Sequence, residues 1–410
     1  MAHRLRRLLR PLRLEHRVVV RGLFERSVRA VVAPLRLVVR RDPSLFALGA
    51  SLDRFADNAA HLFLHLSRAA DLMVVPVWVS GSPEVVARLR ALGHRAELRW
   101  SWAGVGVALR AGTFVYSSFP SDINPWLGGG ATTVCLWHGL PIKRVERDLV
   151  TPAAGTPTAR LAAALRRSPP DYLLSSTEWV SRRCMTSAFG VPLERCWHHG
   201  YPRNDVLLAP DPQPDPAFAA AGTWRALQVP GPVVGLFLTW RDDRSTDVAD
   251  ERLVLSLAES CRQHGATLVY KPHYNVTGPA VDHPSCVVLP ADADLNSHLG
   301  SCDVVVTDYS AAVFDLLLLG RPVLQYLPDL EDYRRSRGFC FDPEEFPGPA
   351  CRSADSLRSE LARLLAAPEI PPAGPEHLRL RDRVWGAYDG HASEAIRLSL
   401  RALAEGRRGR

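Results

Sequence analysis

Short apolar runs alternate along this chain with stretches whose apolar positions recur at helical spacing. The first kind reads as a buried strand and the second as an amphipathic helix. The pattern predicts strands over Leu72–Ser80, Ala96–Trp100, Thr113–Ser117, Thr132–Leu136 and Asp171–Ser175, with helices over Pro83–Leu92 and Glu178–Phe189. A Pro-rich stretch, Ala209–Pro216, interrupts the alternation and reads as a linker. Strands then follow over Val233–Thr239, Thr267–Lys271, Cys286–Leu289, Asp303–Thr307 and Pro322–Tyr326. Helices are predicted over Arg252–His264, Ala311–Leu319 and Ser353–Leu365, with a largely helical tail over Glu376–Ala404. Apolar strands separated by helices imply parallel sheets covered on both faces. The expected fold class is α/β, with two doubly wound parallel-sheet domains and a cleft between them. The expected divisions are a basic arm at 1–41, an acceptor-side domain at 42–208, a linker at 209–216, a nucleotide-binding domain at 217–385 and a C-terminal helix and tail at 386–410.

Composition changes this picture at one end. With 410 residues, 47% hydrophobic and 23% charged, the chain is long enough for two cores of ordinary globular make-up. It has no apolar run long enough for a membrane-spanning helix, and its start lacks the cleavage site of a signal peptide. The net charge of +7 is uneven: residues 1–41 hold twelve Arg and two Glu, so the remainder sums to −3. Within this arm Phe24, Val28, Val31, Leu35 and Val38 recur at helical spacing, with Arg26, Arg29, Arg36 and Arg40 between them. Pro11 and Pro34 confine any helix to short pieces. The pattern suits a helix lying on an anionic membrane surface. A helix docked on the protein itself and a disordered arm are the competing readings. Phe24 is the arm's single aromatic, so a nucleic-acid partner is not expected. Eight scattered cysteines without a CxxC pair fit free thiols in a reducing compartment. Arg outnumbers Lys by 48 to 2, and the only lysines are Lys143 and Lys271. Two positions that keep a compact ammonium against such a bias are candidate phosphate contacts.

Ligands of doubly wound sheets bind beyond the carboxyl ends of strands, so polar residues there were the candidates. Trp137-His138-Gly139-Leu140-Pro141-Ile142-Lys143 follows a strand, and Gly139 and Pro141 force a turn. His138 is a general-base candidate or a structural histidine; Lys143 can face a phosphate. In Gly200-Tyr201-Pro202-Arg203-Asn204-Asp205, Arg203 can hold a phosphate, while Asn204 and Asp205 can equally cap the next turn. Thr239-Trp240-Arg241 sets Arg241 before an anion or a carboxylate, and Tyr270-Lys271-Pro272-His273 joins a cation to an imidazole. Lys271 would hold His273 neutral by like-charge repulsion. In Thr307-Asp308-Tyr309-Ser310-Ala311-Ala312-Val313-Phe314-Asp315 a strand gives way to a helix. Ser310 reads as its N-cap, and the first-turn N–H groups form a candidate anion site with small residues keeping the approach open. No GxxxxGK[ST] loop and no carboxylate cluster is present, so no metal or cofactor is expected.

Taken together and in this order, these motifs resemble the CDP-glycerol glycerophosphotransferase family of teichoic-acid and capsule synthesis. Arg337-Gly338-Phe339, Pro347-Gly348-Pro349 and the segment Phe46–Asn58 extend the resemblance, which covers about Phe46 to Leu365. It implies a GT-B fold, a nucleotide held mainly by the C-terminal domain, and a peripheral enzyme on the cytoplasmic face of the cell membrane. The implied partners are a CDP-alditol donor, a lipid-linked or glycan acceptor and the anionic membrane. By the same resemblance His138 matches the family's proposed base, His273 its nucleotide-pyrophosphate histidine, and Ser310 its phosphate-binding turn. The implied substrate contacts are Lys143, Arg203, Asp205, Arg241, Lys271, Thr307, Asp308, Ser310, Ala311 and Asp315. Two departures fall at donor positions: Lys271-Pro272-His273-Tyr274 stands where the family has Arg-x-His-Pro, and Ser310-Ala311 where it often has two serines. The expected reaction releases CMP as an alditol phosphate moves to a hydroxyl. A GT-B glycosyltransferase and an inactive membrane-peripheral adaptor are the alternatives.

Overall fold

The computed structural model describes residues 38–69, 71–149, 168–210, 214–219, 231–239, 249–272 and 281–408, with scattered positions from 20 to 34 and at 227, 229 and 241. Among these residues two wholly parallel sheets form. The first contains β1 (Asp42–Gly49), β2 (Val75–Ser80), β3 (Ala96–Leu98), β4 (Ala111–Tyr116), β5 (Thr132–Cys135), β6 (Tyr172–Ser175) and β7 (Cys196–His198), in the order β3-β2-β1-β4-β5-β6-β7. The second contains β8 (Val233–Phe237), β9 (Thr267–Tyr270), β10 (Cys286–Val288), β11 (Val304–Thr307), β12 (Val323–Tyr326) and β13 (Ala350–Cys351), in the order β10-β9-β8-β11-β12-β13. Each sheet grows outward in both directions from its first strand, which puts a topological switch point at its centre.

The central strands are buried on both faces, which is why they read as unbroken apolar runs. All residues of Val233–Phe237 and Val304–Thr307 are buried. β1, β7 and β13 escape the hydrophobic pattern, and the longest of them is β1, in the interior of the first sheet. Its opening Asp42-Pro43-Ser44 is polar, and Ala47 and Gly49 carry little β preference. Tertiary pairing overrides this: β1 lies between β2 and β4, with Phe46, Ala47 and Leu48 fully buried. The helix Asp57–Ala69 packs Leu62, Phe63 and Leu66 into the same core. Each such side chain contributes roughly 1.5–3 kcal/mol relative to exposure.

Two other expectations change in detail. The helical tail is two helices, Pro375–Trp385 and Ala392–Arg408, separated at Gly386, whose φ of 57° suits glycine. The segment Glu178–Phe189 is helical but carries a π turn over Ser181–Met185.

Among the described residues, the halves meet in several places. A short antiparallel bridge pairs Lys143 with Phe339; Cys340 N donates to Ile142 O at 2.9 Å and Arg144 N to Gly338 O at 3.2 Å. The last helix then returns from the second domain to the first. There Arg397 pairs with Asp71, His65 meets Glu394 at 2.9 Å, and Arg407 donates to Gly130 O at 3.0 Å. The carboxyl ends of both sheets therefore border one seam.

Candidate active site

The loop after β5 holds the first candidate group. Trp137 has φ 53°, a left-handed conformation that costs a bulky residue of order 1–3 kcal/mol. Asn58, fully buried in the first turn of the helix Asp57–Ala69, holds it there by donating to Trp137 O at 2.9 Å. Gly139 follows at φ 135°, and a Cβ there would lie 2.6 Å from Arg203 Nη2. Between them the His138 residue is exposed to solvent, with neighbouring protein atoms crowded around its ring. Desolvation lowers its pKa; the Asp57 carboxylate raises it, and Arg203 and Lys143 add to the lowering. The imidazole is thus predominantly neutral at pH 7, the form a general base requires. Its Nδ1 lies 3.2 Å from Ser118 Oγ, so Nε2 is the nitrogen left for substrate.

One guanidinium ties this loop to the other domain. Arg203 Nη1 donates to the His138 carbonyl at 2.6 Å, and Arg203 Nη2 donates to Asp315 Oδ2 at 2.6 Å. Asp315 lies in the first turn of the helix Ala312–Leu319, directly after Ser310 and Ala311. Asn204 Nδ2 donates to Asp315 Oδ1 at 2.9 Å, and Asn296 Nδ2 donates to Asn204 Oδ1 at 2.6 Å. All four side chains are buried. Burial raises the Asp315 pKa, and Arg203 opposes that rise.

Asp57 joins this seam from the first domain. It has φ 59°, and its Oδ1 lies 3.7 Å from Arg203 Nη1. From the second domain, Lys271 donates to Ala291 O at 2.9 Å. Burial brings its pKa down to about 8, Arg54 adds to the lowering, and Asp294, Asp57 and Asp292 oppose it. Lys271 remains an ammonium at neutral pH. Asp294 in turn meets His61 of the first domain at 3.2 Å.

A second cluster lies under the strand ends of the second sheet. Arg241 Nε and Nη2 donate to Asp329 at 2.7 and 3.1 Å, and its Nη1 donates to Asp308 Oδ2 at 2.9 Å. The guanidinium lies over Tyr309 and Tyr333, whose rings stack at 4.1 Å, and Lys143 Nζ comes within 5.4 Å of Tyr333.

The family model for CDP-Glycerol:Poly(glycerophosphate) glycerophosphotransferase matches residues 31–399. The chain belongs to this family. A teichoic acid glycerol-phosphate transferase of Staphylococcus aureus is 26% identical over 84% of this chain and 89% of its own length. A teichoic acid poly(glycerol phosphate) polymerase of Bacillus subtilis is 28% identical over 74% of this chain, which spans only 41% of that longer protein. The solved wall teichoic acid polymerase TagF superposes with a TM-score of 0.72 at 21% identity, over 96% of this chain and 98% of that one. The fold is accordingly GT-B-like, as the resemblance implied.

Within this glycerophosphotransferase scaffold the candidate residues separate. Arg203 joins the His138 backbone to Asp315, whereas Lys143, Arg241 and Asp308 gather around the tyrosine stack. Lys271 lies with Asp57 and Asp294. Asp205 accepts from Tyr388 OH at 2.7 Å and from Ala392 N and Ser393 N at 2.9 Å, which caps the last helix. Thr307 Oγ1 is buried and donates to Phe237 O at 2.9 Å. Ser310 Oγ accepts from Ala312 N at 3.3 Å, with Ala311 immediately before the helix. His273 and Trp240 lie outside the described residues. Sequence reasoning passed over Asp57, Asn58, Asp294, Asn296 and Asp329. Only Asp57 and Asn58 left a trace, as the end of the segment Phe46–Asn58.

Proposed function

We propose that this chain transfers an alditol phosphate, most simply glycerol phosphate, from a CDP-alditol to a hydroxyl of a membrane-linked acceptor, in the synthesis of a teichoic-acid-like or capsule polymer. The acceptor oxygen attacks the phosphorus next to the alditol. An O–P bond forms, the P–O bond to CMP breaks, and His138 Nε2 takes the hydroxyl proton. Lys271, Lys143 and the helix start just after Ser310 would meet the charge that gathers on the phosphoryl oxygens and on CMP. One observation carries this reading: Arg203 links the His138 carbonyl to Asp315, in the first turn of the helix Ala312–Leu319, whose N-cap is Ala311 rather than the expected Ser310. That tie supports a reading in which the candidate base of one domain and a helix start of the other work together.

The test is CMP release from CDP-glycerol in the presence of a lipid-linked acceptor. Replacing His138 with Ala is expected to cut turnover by roughly 10²–10⁴-fold. A loss under tenfold in a folded variant would remove His138 from the role. Release of a nucleoside diphosphate from a sugar nucleotide would favour the glycosyltransferase reading.

The same proposal sets the enzyme on the cytoplasmic face of the membrane. No helix among the described residues is long and apolar enough to cross a membrane. Phe24 of the arm packs on Trp126, which packs on Trp100, while Val31 is 79% exposed and Trp102 94% exposed. Apolar side chains bared beside an Arg-rich arm suit an anionic lipid interface. Removing residues 1–41, or replacing Trp100 and Trp102 with Ala, should weaken sedimentation with anionic vesicles at low salt. Donor binding should stay unchanged. Equal sedimentation of all three proteins would refute the membrane placement.

A further inference from the structure

We propose that Ser118 and Ser51, anchored on Asp122, are positioning residues that fix the His138 tautomer, with the proton on Nδ1 and the lone pair on Nε2. The proposal rests on the reading of His138 as the base. Its support is a line of side chains across the carboxyl ends of three neighbouring strands, β1, β4 and β5. Ser51 follows β1, Ser118 and Asp122 follow β4, and His138 follows β5. Ser118 Oγ lies 3.2 Å from His138 Nδ1 and 2.7 Å from Ser51 Oγ. Ser51 Oγ lies 3.4 Å from Asp122 Oδ2. That carboxylate also accepts from Ser118 N at 2.8 Å and Phe119 N at 3.2 Å, so it is held in place independently of the hydroxyls. Gly49 lets the loop close this tightly, since a Cβ there would lie 2.8 Å from Asp122 O.

A hydroxyl has one hydrogen and can turn it either way, so the ends of the line decide its direction. An ionised Asp122 only accepts. It draws the Ser51 hydrogen toward itself, Ser51 Oγ accepts from Ser118, and Ser118 Oγ accepts from His138 Nδ1–H. A protonated Asp122 can donate, and the line then runs the other way and puts the proton on Nε2. Burial pushes the Asp122 pKa up to about 6, against the hydrogen bonds from Ser118, Phe119 and Ser51 and the charge of Arg99. Tyr116 and Cys135 are its other titratable neighbours, and both stay protonated because burial raises their pKa values. Around His138 the charged groups are Asp57, Arg203 and Lys143. The acceptor-ready tautomer is therefore expected above about pH 6 and lost below it.

The experiment is nitrogen NMR of the full chain labelled with [15N]histidine, with the His138 signals assigned by their absence in His138→Asn. At pH 7.5 the wild type should show a protonated Nδ1 and a bare Nε2. Ser118→Ala and Asp122→Asn should each give a mixture of tautomers. Ser118→Ala should also lower kcat for CMP release about tenfold and leave the KM for CDP-glycerol within about twofold, as expected when an aligned base is lost and binding is kept. A wild-type His138 protonated on Nε2, or a Ser118→Ala variant with unchanged tautomer and kcat, would overturn the proposal. A tautomer that depends on Ser118 in a protein whose His138→Ala variant still turns over would support the relay and remove the base.

Discussion

Arg203 and Arg241 are both buried, and both carry carboxylate partners. At the seam Arg203 spans two domains: its partner Asp315 belongs to the second, while its other contact is the backbone that carries His138. Arg241 stays within one domain and is gripped by Asp308 and Asp329 over a tyrosine stack. The two lysines contrast with both. Lys271 donates to a carbonyl among partly opposing charges, and Lys143 stands over the edge of the same stack. The planar fork suits fixed bidentate ties, whereas a compact ammonium can reorient toward an anion.

Three experiments would break or sharpen that contrast. The largest effect is expected for Asp315→Ala, which leaves the Arg203 charge buried beside a lost partner; about 3–5 kcal/mol should vanish from urea unfolding. Pairing Arg203→Met with Asp315→Leu should recover much of it, and a single variant near wild-type stability would deny that Arg203 ties the domains. A smaller loss, about 1.5–3 kcal/mol, is expected for Arg241→Ala, because Asp329 is partly exposed and can rehydrate while the buried Asp308 keeps its hydrogen bond from Thr239 N at 2.8 Å. Hydrogen exchange should then rise in the second domain and stay constant across β1 to β5; a rise in both would erase the distinction. The smallest change is expected for Lys271→Met, with at least about a tenfold increase in the KM for CDP-glycerol and unaltered stability. Because Lys271 loses its proton near pH 8, the wild-type KM should climb as pH rises through 8, whereas Lys271→Arg should show no climb. A flat wild-type profile would take Lys271 away from the donor.

Much of the scaffold was readable because its strands are apolar on both faces and their ends coincide with Gly, Pro and polar residues. β11 and the helix after it were found within one residue. β1 was not, since its place in the interior of the sheet comes from pairing with β2 and β4 rather than from its own composition. The site divides in the same way. His138 could be singled out from a strand end followed by a Gly-Pro turn. Ser118, Ser51 and Asp122 could not, because a hydrogen-bonded line across three strands has no sequence spacing.

By itself, then, the chain determined its class, its two-domain plan and the residue types at each strand end, for these follow from local periodicity and turn chemistry. Which of those residues would hold one another and which would face the cleft was decided only by folding. A guanidinium next to a carboxylate at the right distance is a tie, and the same group alone is an anion site; that distance is set by the meeting of two domains, which brings together residues more than a hundred positions apart, such as Arg203 and Asp315.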